Sequence, residues 1–348
     1  MYFASDNSGP VHPHVLEALT TANAGFAMAY GDDALMENVR AKIRDLFEAP
    51  EAAVFLVATG TAANSLILAT LCAPWQTVFC SPAAHIHEDE CNAPEFFSGG
   101  AKLTLVGDSE KMSPQALETA IAGEETRGVH GPQRGPVSIT QVTERGTIYT
   151  LDDLAALTKI AKSYGLQSHL DGARFTNALV ALDCTPAEMT WKSSIDAVSF
   201  GGTKNGLMGV EAVIFFDPSK AWEFELRRKR GAHLPSKHRF LSAQMDAYLT
   251  DDLWITLAKS ANANCARLAA GLRTIDGVTF ANEPQANIIF ATLPRATHQR
   301  LHAAGAVYHV ISGTLEGDDP AEPLLARFVS DWSISHAMID QFLDLARG

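Results

Sequence analysis

Lys204 stands in a sequence context that suits a reactive amine. Lys204 and its neighbour Thr203 lie in the glycine-rich segment Gly201–Gly206, directly after the apolar run Ala197–Phe200. Glycines let the backbone come close to a bound ring, and an amine beside a cationic group loses its proton more readily. Most lysines are surface charges, but this placement predicts that Lys204 forms a Schiff base.

Asp171 has the position expected of an acid that keeps a cofactor protonated. It follows the apolar run Gln167–Leu170, and Arg174 lies one turn further on. A pyridoxal ring accepts electrons well only while its ring nitrogen is protonated, and an adjacent carboxylate retains that proton. A pair about 4 Å apart contributes roughly 4 kcal/mol, or about three pKa units. The alternatives are a helix N-cap for Asp171 and a solvated or salt-bridged side chain for Arg174.

A turn of small residues after the run Ala53–Val57 suits a phosphate group. It contains Gly60 and Thr61 and leads into a helix that the pattern predicts to begin near Ser65. The N-terminus of a helix offers free N–H donors and the positive end of the helix dipole. An ordinary strand-to-helix turn with a threonine cap explains these residues about equally well.

The elements that position these residues alternate between short apolar runs and helical patterns. This order predicts an α/β fold with a mostly parallel seven-stranded sheet, in which ligands bind beyond the carboxyl ends of the strands. The predicted strands are Ala53–Val57, Thr77–Cys80, Leu103–Val106, Val137–Gln141, Gln167–Leu170, Ala197–Phe200 and Ala212–Phe216.

The remaining part of the chain predicts a second, smaller domain. Helical periodicity from Asp251 to Ile275 indicates one long helix, with Gly277 just beyond it. Shorter strand and helix patterns follow, which favours a small α+β domain. We therefore expect a large domain at residues 1–250, including the N-terminal segment, and a small domain at residues 251–348.

Composition excludes several classes of function. The chain has 348 residues and a formal net charge of -13, so it lacks the basic surface that a nucleic acid requires. No apolar run is long enough for a membrane span, and the N-terminus has no features of a signal peptide, so we expect a cytoplasmic protein. The five cysteines form no CxxC pair, and we expect reduced thiols and no metal site.

Six segments together resemble the low-specificity L-threonine aldolases. They occur in the family's order across most of the first domain, with a weaker match beyond. The segments are Ser5–Asn7, Tyr30–Asp33, Thr59–Asn64, Ala84–His85, His169–Arg174 and Gly202–Lys204.

The resemblance implies fold type I of the pyridoxal-phosphate enzymes and active sites shared between subunits of a dimer or tetramer. It also implies that the cofactor is pyridoxal 5'-phosphate and that Lys204 carries it. Asp171 would then pair with the ring nitrogen, Gly60 and Thr61 would hold the phosphate, and Thr203 and Arg174 would also contact the cofactor.

The resemblance assigns His85 to the face of the cofactor ring, where an imidazole can stack and also transfer a proton. Two alternatives remain for this residue. His85 and His87 would be metal ligands if residues 85–87 formed a strand, because both would then face the same side. His85 would otherwise be an ordinary capped surface residue.

Further residues would bind the substrate or reach a neighbouring subunit. Ser5, Arg174 and Arg327 would bind the α-carboxylate of an amino acid, because a guanidinium pairs with a carboxylate through two hydrogen bonds. Tyr30, with Lys237, Arg239 or both, resembles positions that reach the active site of the adjacent subunit, where Lys237 or Arg239 would bind the cofactor phosphate. A basic surface loop is the alternative for Lys237 and Arg239.

One segment departs from the family's pattern. Many threonine aldolases have a histidine near the substrate hydroxyl, whereas this chain has Val142–Gly146, with Glu144 at the aligned position. Glu144, His85 or a water molecule would therefore take the proton of the β-hydroxyl.

The resemblance implies cleavage of L-threonine, L-allo-threonine and related β-hydroxy amino acids to glycine and an aldehyde. A phenylserine-directed aldolase or a β-eliminating lyase on the same scaffold is the nearest alternative. A catalytically silent homologue is disfavoured because Lys204, Asp171 and Arg174 are all present.

Overall fold

The computed structural model describes residues 1–348 and contains two β-sheets. The larger sheet has seven strands in the order β1-β7-β6-β5-β4-β2-β3. These strands are β1 (Ala53–Val57), β2 (Gln76–Cys80), β3 (Lys102–Leu105), β4 (Gln133–Thr140), β5 (Ser168–Gly172), β6 (Ala197–Gly201) and β7 (Glu211–Phe215).

Strand β7 alone is antiparallel to its neighbours β1 and β6, so six of the seven strands run in one direction. The carboxyl ends of β1, β5 and β6 therefore lie at one edge of the sheet. The predicted mostly parallel seven-stranded sheet is confirmed. Gly60 and Lys204 lie in the segments that follow β1 and β6, and Asp171 lies near the carboxyl end of β5 itself.

Fourteen helices surround or connect the sheets. They are α1 (Pro13–Ala22), α2 (Ala34–Leu46), α3 (Gly60–Leu71), α4 (His85–Glu88), α5 (Ala93–Ser98), α6 (Pro114–Gly123), α7 (Leu151–Ser163), α8 (Phe175–Leu182), α9 (Pro186–Met189), α10 (Ala221–Arg230), α11 (Arg239–Tyr248), α12 (Leu253–Leu272), α13 (Arg295–Ala303) and α14 (His336–Arg347). Short 3-10 turns occupy Asp6–Ser8, Gly128–His130, Trp191–Ser193, Thr203–Asn205 and Pro218–Lys220.

Both faces of the larger sheet are buried, as expected for parallel strands. In β1, Val54 and Leu56 belong to the largest apolar core, whereas Phe55 and Val57 pack on the opposite face. This alternation follows from the two-residue period of a strand. Helices α2, α7 and α8 contribute to the first core, and helices α3 and α10 contribute to the second.

The smaller sheet is antiparallel, with strands in the order β10-β11-β9-β8. Its strands are β8 (Thr279–Phe280), β9 (Ile288–Pro294), β10 (His309–Val310) and β11 (Pro323–Val329). The core beneath it contains side chains of α12, α13 and α14 together with Phe3 from the N-terminal segment. The two-residue strand β10 was not predicted, because two residues carry no periodicity.

Helix α12 packs against two cores. Its first turns place Trp254 and Leu257 in the core of the larger sheet. Its later turns place Cys265 and Leu268 in the core of the smaller sheet. The predicted long helix is therefore present, with the bounds Leu253–Leu272.

Two expectations about local structure were wrong. Helix α3 begins at Gly60 instead of near Ser65, because Thr59 Oγ1 accepts a hydrogen bond from the Ala62 N–H and caps the helix there. Residues 85–88 form a short helix, so His85 and His87 do not lie on one side of a strand. The strand-based metal site is therefore excluded.

The five cysteines are free thiols. Cys72, Cys80 and Cys265 are buried, and burial raises the pKa of each to about 12. None of the helices combines the length and apolar character that crossing a membrane requires.

Candidate active site

A cavity of about 240 Å³ lies at the carboxyl ends of β1, β5 and β6. It brings together six of the predicted residues from four separate parts of the chain. Its lining includes Gly60, Thr61, His85, Asp171, Thr203 and Lys204. Cavities at this edge are the usual ligand sites of α/β sheets.

The loop that carries Lys204 depends on close backbone packing. A Cβ atom at Gly201 would lie 2.4 Å from the Ala173 carbonyl oxygen, and one at Gly202 would lie 2.5 Å from a methyl carbon of Leu207. Glycine is therefore required at both positions. The Gly202 N–H also donates to Glu211 Oε2 at 2.7 Å, which fixes the loop just before Lys204.

Asp171 is buried and has defined hydrogen-bond donors. Asn64 Nδ2 donates to its Oδ2 at 2.9 Å, and the Ala173 N–H donates to its Oδ1 at 3.1 Å. Asp171 does not cap α8, since Arg174 is the residue that precedes that helix. The hydrogen bonds orient the carboxylate in the cavity that also contains Lys204.

The turn between β1 and α3 presents the first N–H groups of α3 to the same cavity. Thr59 caps the helix with its hydroxyl, while Gly60 and Thr61 line the cavity. A Cβ atom at Gly60 would have no neighbour within 4 Å, so the space beside it is open to a ligand. This arrangement suits a phosphate.

His85 lies on α4 and lines the cavity close to the buried Glu90. Its Nδ1 is 2.8 Å from Glu90 Oε1. This hydrogen bond raises the pKa of His85, while burial acts in the opposite direction and the charges of Asp171 and Glu144 also raise it. The imidazole therefore binds a proton more readily than a free histidine.

Arg174 forms a buried, bidentate ion pair with Asp6. Its Nε donates to Asp6 Oδ2 at 2.7 Å, and its Nη2 donates to Oδ1 at 2.9 Å. Asn287 Nδ2 also donates to Asp6 Oδ2. The salt-bridged alternative considered for Arg174 is thus present, and two of its nitrogen atoms are occupied by Asp6.

Glu144 and Arg327 line a second cavity of about 450 Å³. The pKa of Arg327 is lowered by partial burial and by the neighbouring positive charge of Arg174, while Glu144 opposes this effect. Arg327 Nη2 donates to the Ala4 carbonyl at 3.4 Å, and its Nε is buried without a partner. Ser5 lies in the same N-terminal segment, and its hydroxyl accepts from the Asn7 N–H.

Tyr30, Lys237 and Arg239 do not line either of these cavities. The Tyr30 N–H donates to the Ser236 carbonyl at 3.1 Å, and Arg239 donates to the Gly25 carbonyl at 3.0 Å. The loop that carries Tyr30 therefore contacts the segment that leads into α11. Within one subunit, they do not join the cavity of Lys204.

Several polar residues of the site, among them Asp6, Asn64, Glu90 and Glu211, were not predicted as functional residues. Asp6 and Asn64 lie within segments that carried the family resemblance, so the sequence held a signal for both. Glu90 and Glu211 had no such signal, because a single glutamate in a sequence does not reveal that it is buried. All but Asp6 line the cavity of Lys204.

The residues of the smaller cavity fit pyridoxal phosphate. A lysine amine, a buried carboxylate, an aromatic imidazole and the N-terminus of a helix line one enclosed space. They match, respectively, the aldehyde, the ring nitrogen, the ring face and the phosphate of that cofactor.

Comparison with known proteins identifies a family of lyases and several related enzymes. Residues 2–295 match the family described as beta-eliminating lyase. A low-specificity L-threonine aldolase of Pseudomonas aeruginosa is 40% identical over 347 residues, which cover 99% of this chain and 96% of that protein.

Solved structures share the fold. A threonine aldolase of Leishmania major superposes with a TM-score of 0.91 at 25% identity, covering 99% of this chain and 98% of that chain. A serine palmitoyltransferase of S. paucimobilis with bound pyridoxal phosphate shares the fold at a TM-score of 0.66 and 18% identity, covering 100% and 86% of the two chains.

The fold, the cavity and the matched family define a pyridoxal-phosphate-dependent lyase of fold type I. Because the identity extends over almost the whole of both chains, the protein belongs to the low-specificity L-threonine aldolases. The expected fold, cofactor and enzyme class are thereby confirmed.

Glu211 provides a test of the electrostatics of the cavity. Burial raises its pKa from the ordinary value of 4.5 to about 7. The folded protein therefore binds this proton more tightly than the unfolded chain, so ionised Glu211 lowers stability above pH 7 and the cost disappears as the pH falls towards 4.5. We expect Glu211→Gln to be more stable than the wild type by about 1 to 3 kcal/mol at pH 8, and the gain to vanish near pH 4.5.

Guanidinium unfolding of the cofactor-free protein at both pH values measures this difference. Glu118→Gln, which removes an exposed carboxylate from α6, is the matched control and should change stability little at either pH. A gain in stability for Glu211→Gln of equal size at pH 8 and pH 4.5 would contradict the raised pKa of Glu211.

Proposed function

We propose that the protein cleaves L-threonine, L-allo-threonine and related L-β-hydroxy-α-amino acids to glycine and an aldehyde, and catalyses the reverse reaction. The observation that carries this proposal is the single cavity shared by Lys204, Asp171 and His85. Membership of the threonine aldolase family supports the same reaction.

When bound, pyridoxal phosphate supplies an electron sink for the electrons of a bond broken at Cα. We propose that Lys204 holds the cofactor covalently and that Asp171 retains the proton on its ring nitrogen. Thr203, Gly60 and Thr61 are proposed to contact the cofactor from the ends of β6 and β1, and His85 is proposed to lie against its ring.

The substrate carboxylate is proposed to bind between Arg174 and Arg327. Asp6 holds two nitrogen atoms of Arg174, which leaves Nη1 without an Asp6 contact. Burial and, after it, the positive charge of Arg174 lower the pKa of Arg327, and an anion between the two guanidinium groups would offset their repulsion. Ser5 would complete the site.

The position of the carboxylate would decide which bond at Cα breaks, because it fixes the orientation of the substrate in the site. Orientation of this kind contributes a large share of enzymatic rate. The proton of the β-hydroxyl is proposed to pass to Glu144, to His85 or to water. Glu144 lines the cavity of about 450 Å³ and His85 lines the cavity of Lys204, so they would approach the hydroxyl from different sides.

A second candidate is β-elimination, since the matched family is that of the β-eliminating lyases. The products separate the two reactions. An aldolase releases glycine and an aldehyde, whereas a β-eliminating lyase releases ammonia and a keto acid.

Product analysis with Lys204→Ala tests the proposal. The loaded wild type should convert L-threonine and L-allo-threonine to equal amounts of glycine and acetaldehyde, and Lys204→Ala should lose at least about a thousandfold in rate because it lacks the reactive amine. Lys159→Ala removes an exposed lysine of α7 as a control. Ammonia and a keto acid in place of glycine would overturn the aldolase assignment.

Arg327→Ala tests the carboxylate site. Removing a charged hydrogen-bond donor costs about 1.5 to 3 kcal/mol, so KM for threonine should rise roughly ten- to a hundredfold while the affinity for the cofactor stays unchanged. Arg267→Ala, which breaks a surface ion pair with Asp340, should leave KM unaltered. An equal effect of both substitutions would exclude Arg327 from the substrate site.

We further propose that the protein is a homo-oligomer, a dimer or a tetramer, with shared active sites. Phe26 and Met28 are exposed on the loop that carries Tyr30, and an apolar pair on a surface loop favours association. Tyr30 and Lys237 or Arg239 would then act in the cavity of a neighbouring subunit.

Mixing two inactive variants tests this sharing. If Tyr30 serves the neighbouring site, a hybrid of Lys204→Ala and Tyr30→Ala subunits contains one intact site, so re-associated equal mixtures should regain about a quarter of the wild-type sites. No regain of activity, with hybrids shown by mass spectrometry, would place Tyr30 in its own subunit's site.

Two coarser proposals complete this description. The division into domains at residues 1–250 and 251–348 is supported by the two cores beneath the two sheets, which Phe3 and α12 link across this boundary. A cytoplasmic location is supported by the reduced cysteines and the acidic composition.

A further inference from the structure

We infer that Glu90 and Asn64 are positioning residues that hold His85 in one tautomer, with its proton on Nδ1 and a basic Nε2 at the cavity. The geometry of the hydrogen bonds carries this inference. Its catalytic consequence, that His85 accepts a proton during the reaction, depends on the proposed function.

Glu90 is a buried carboxylate whose two oxygen atoms differ. Its Oε1 lies 2.8 Å from His85 Nδ1 and 2.9 Å from Asn64 Nδ2. Its Oε2 is buried and has no hydrogen-bond partner. As a carboxylate, Glu90 has no proton to donate, so Oε1 accepts from both neighbours.

Asn64 shows why its amide must donate to Glu90. Its Nδ2 carries two hydrogen atoms and lies 2.9 Å from both Glu90 Oε1 and Asp171 Oδ2. Its Oδ1 accepts from Ser199 Oγ at 2.7 Å. All three polar positions of the amide are therefore used, and a flipped amide would place its oxygen against two carboxylates.

The orientation of Asn64 is fixed by a chain of hydrogen bonds through the sheet. Ser199 gives its only proton to Asn64, so it accepts from His169 Nε2, which lies 3.1 Å away. His169 is buried, and burial lowers its pKa to about 4, so the ring is neutral and its Nδ1 accepts from Ser138 Oγ at 3.0 Å. In this series of hydrogen bonds each group donates to the next, from Ser138 in β4 to Asn64 in α3.

The donor and acceptor roles in this series also determine which nitrogen of His85 carries the proton. Because Glu90 Oε1 accepts, His85 Nδ1 must be the nitrogen that carries the proton. His85 Nε2 makes no hydrogen bond within the protein, while the ring lines the cavity of Lys204 and Asp171. In the neutral ring, Nε2 thus has the free lone pair, which is the nitrogen that can accept a proton from a ligand.

Three acidic groups face His85 from different elements. Glu90 follows α4, Asp171 ends β5 and Glu144 lies in the loop after β4, and each of them favours the protonated imidazole. Glu90 has the largest effect because it makes the direct hydrogen bond. Removing its charge while keeping its shape should therefore weaken His85 as a base more than a surface substitution would.

The test uses the loaded holoenzyme with nitrogen-15-labelled histidine. Nitrogen chemical shifts distinguish a protonated from an unprotonated ring nitrogen, and His85→Asn identifies the His85 signals. We would compare the wild type, Glu90→Gln and the control Glu118→Gln, and record in each the His85 titration and the pH profile of kcat/KM.

In the wild type we expect neutral His85 to carry its proton on Nδ1. In Glu90→Gln the pKa of His85 should fall, the acid limb of the profile should move to lower pH, and kcat/KM at neutral pH should fall by about tenfold, as for other residues that orient a catalytic group. Glu118→Gln should match the wild type in the pKa of His85, in the acid limb of the pH profile and in kcat/KM at neutral pH.

A wild-type His85 protonated on Nε2 would overturn the inference, even if Glu90→Gln failed to fold. A His85 titration in Glu90→Gln identical to that of Glu118→Gln would also overturn it. If the wild type does not cleave threonine, the proposed function is refuted. The inference on the tautomer is tested separately, because the nitrogen shifts are measured without substrate.

Discussion

The buried negative charge at the carboxyl edge of the larger sheet is the constraint on which the site depends. Asp6, Glu90, Asp171 and Glu211 are all almost completely buried there. Buried carboxylates are unfavourable unless hydrogen bonds or positive charges compensate them. Arg174 compensates Asp6, Asn64 serves both Asp171 and Glu90, and backbone N–H groups serve Asp171 and Glu211.

This constraint explains several features that are otherwise unrelated. The glycines before Lys204 bring the backbone close enough for the Gly202 N–H to reach Glu211. The N-terminal segment crosses to β5 so that Asp6 meets Arg174. A cationic cofactor ring would add a further positive charge beside Asp171, so the cofactor is expected to stabilise the fold as well as to enable the reaction.

Much of the fold and part of the site followed from the sequence. Strands β1, β5 and β6 were recognisable as apolar runs, and the residues after them were the ones that line the cavity. The start of α3 was misplaced because Gly60 and Thr61 have low helix propensity, while the hydrogen bond from Ala62 to Thr59 favours the earlier start. Partners distant in sequence, such as Asp6 for Arg174 and Glu90 for His85, required the fold, since no periodic pattern links them.

The two arginines proposed for the substrate carboxylate come from different sheets. Arg174 follows β5 of the larger sheet, whereas Arg327 lies in β11 of the smaller one. The carboxylate of an amino acid held by both would add a link between the two sheets to the one that α12 already makes, and an amine without a carboxylate would lack that link. A ligand with a carboxylate would then differ from a simple amine in how much it rigidifies the whole subunit, as well as in how tightly it occupies the site.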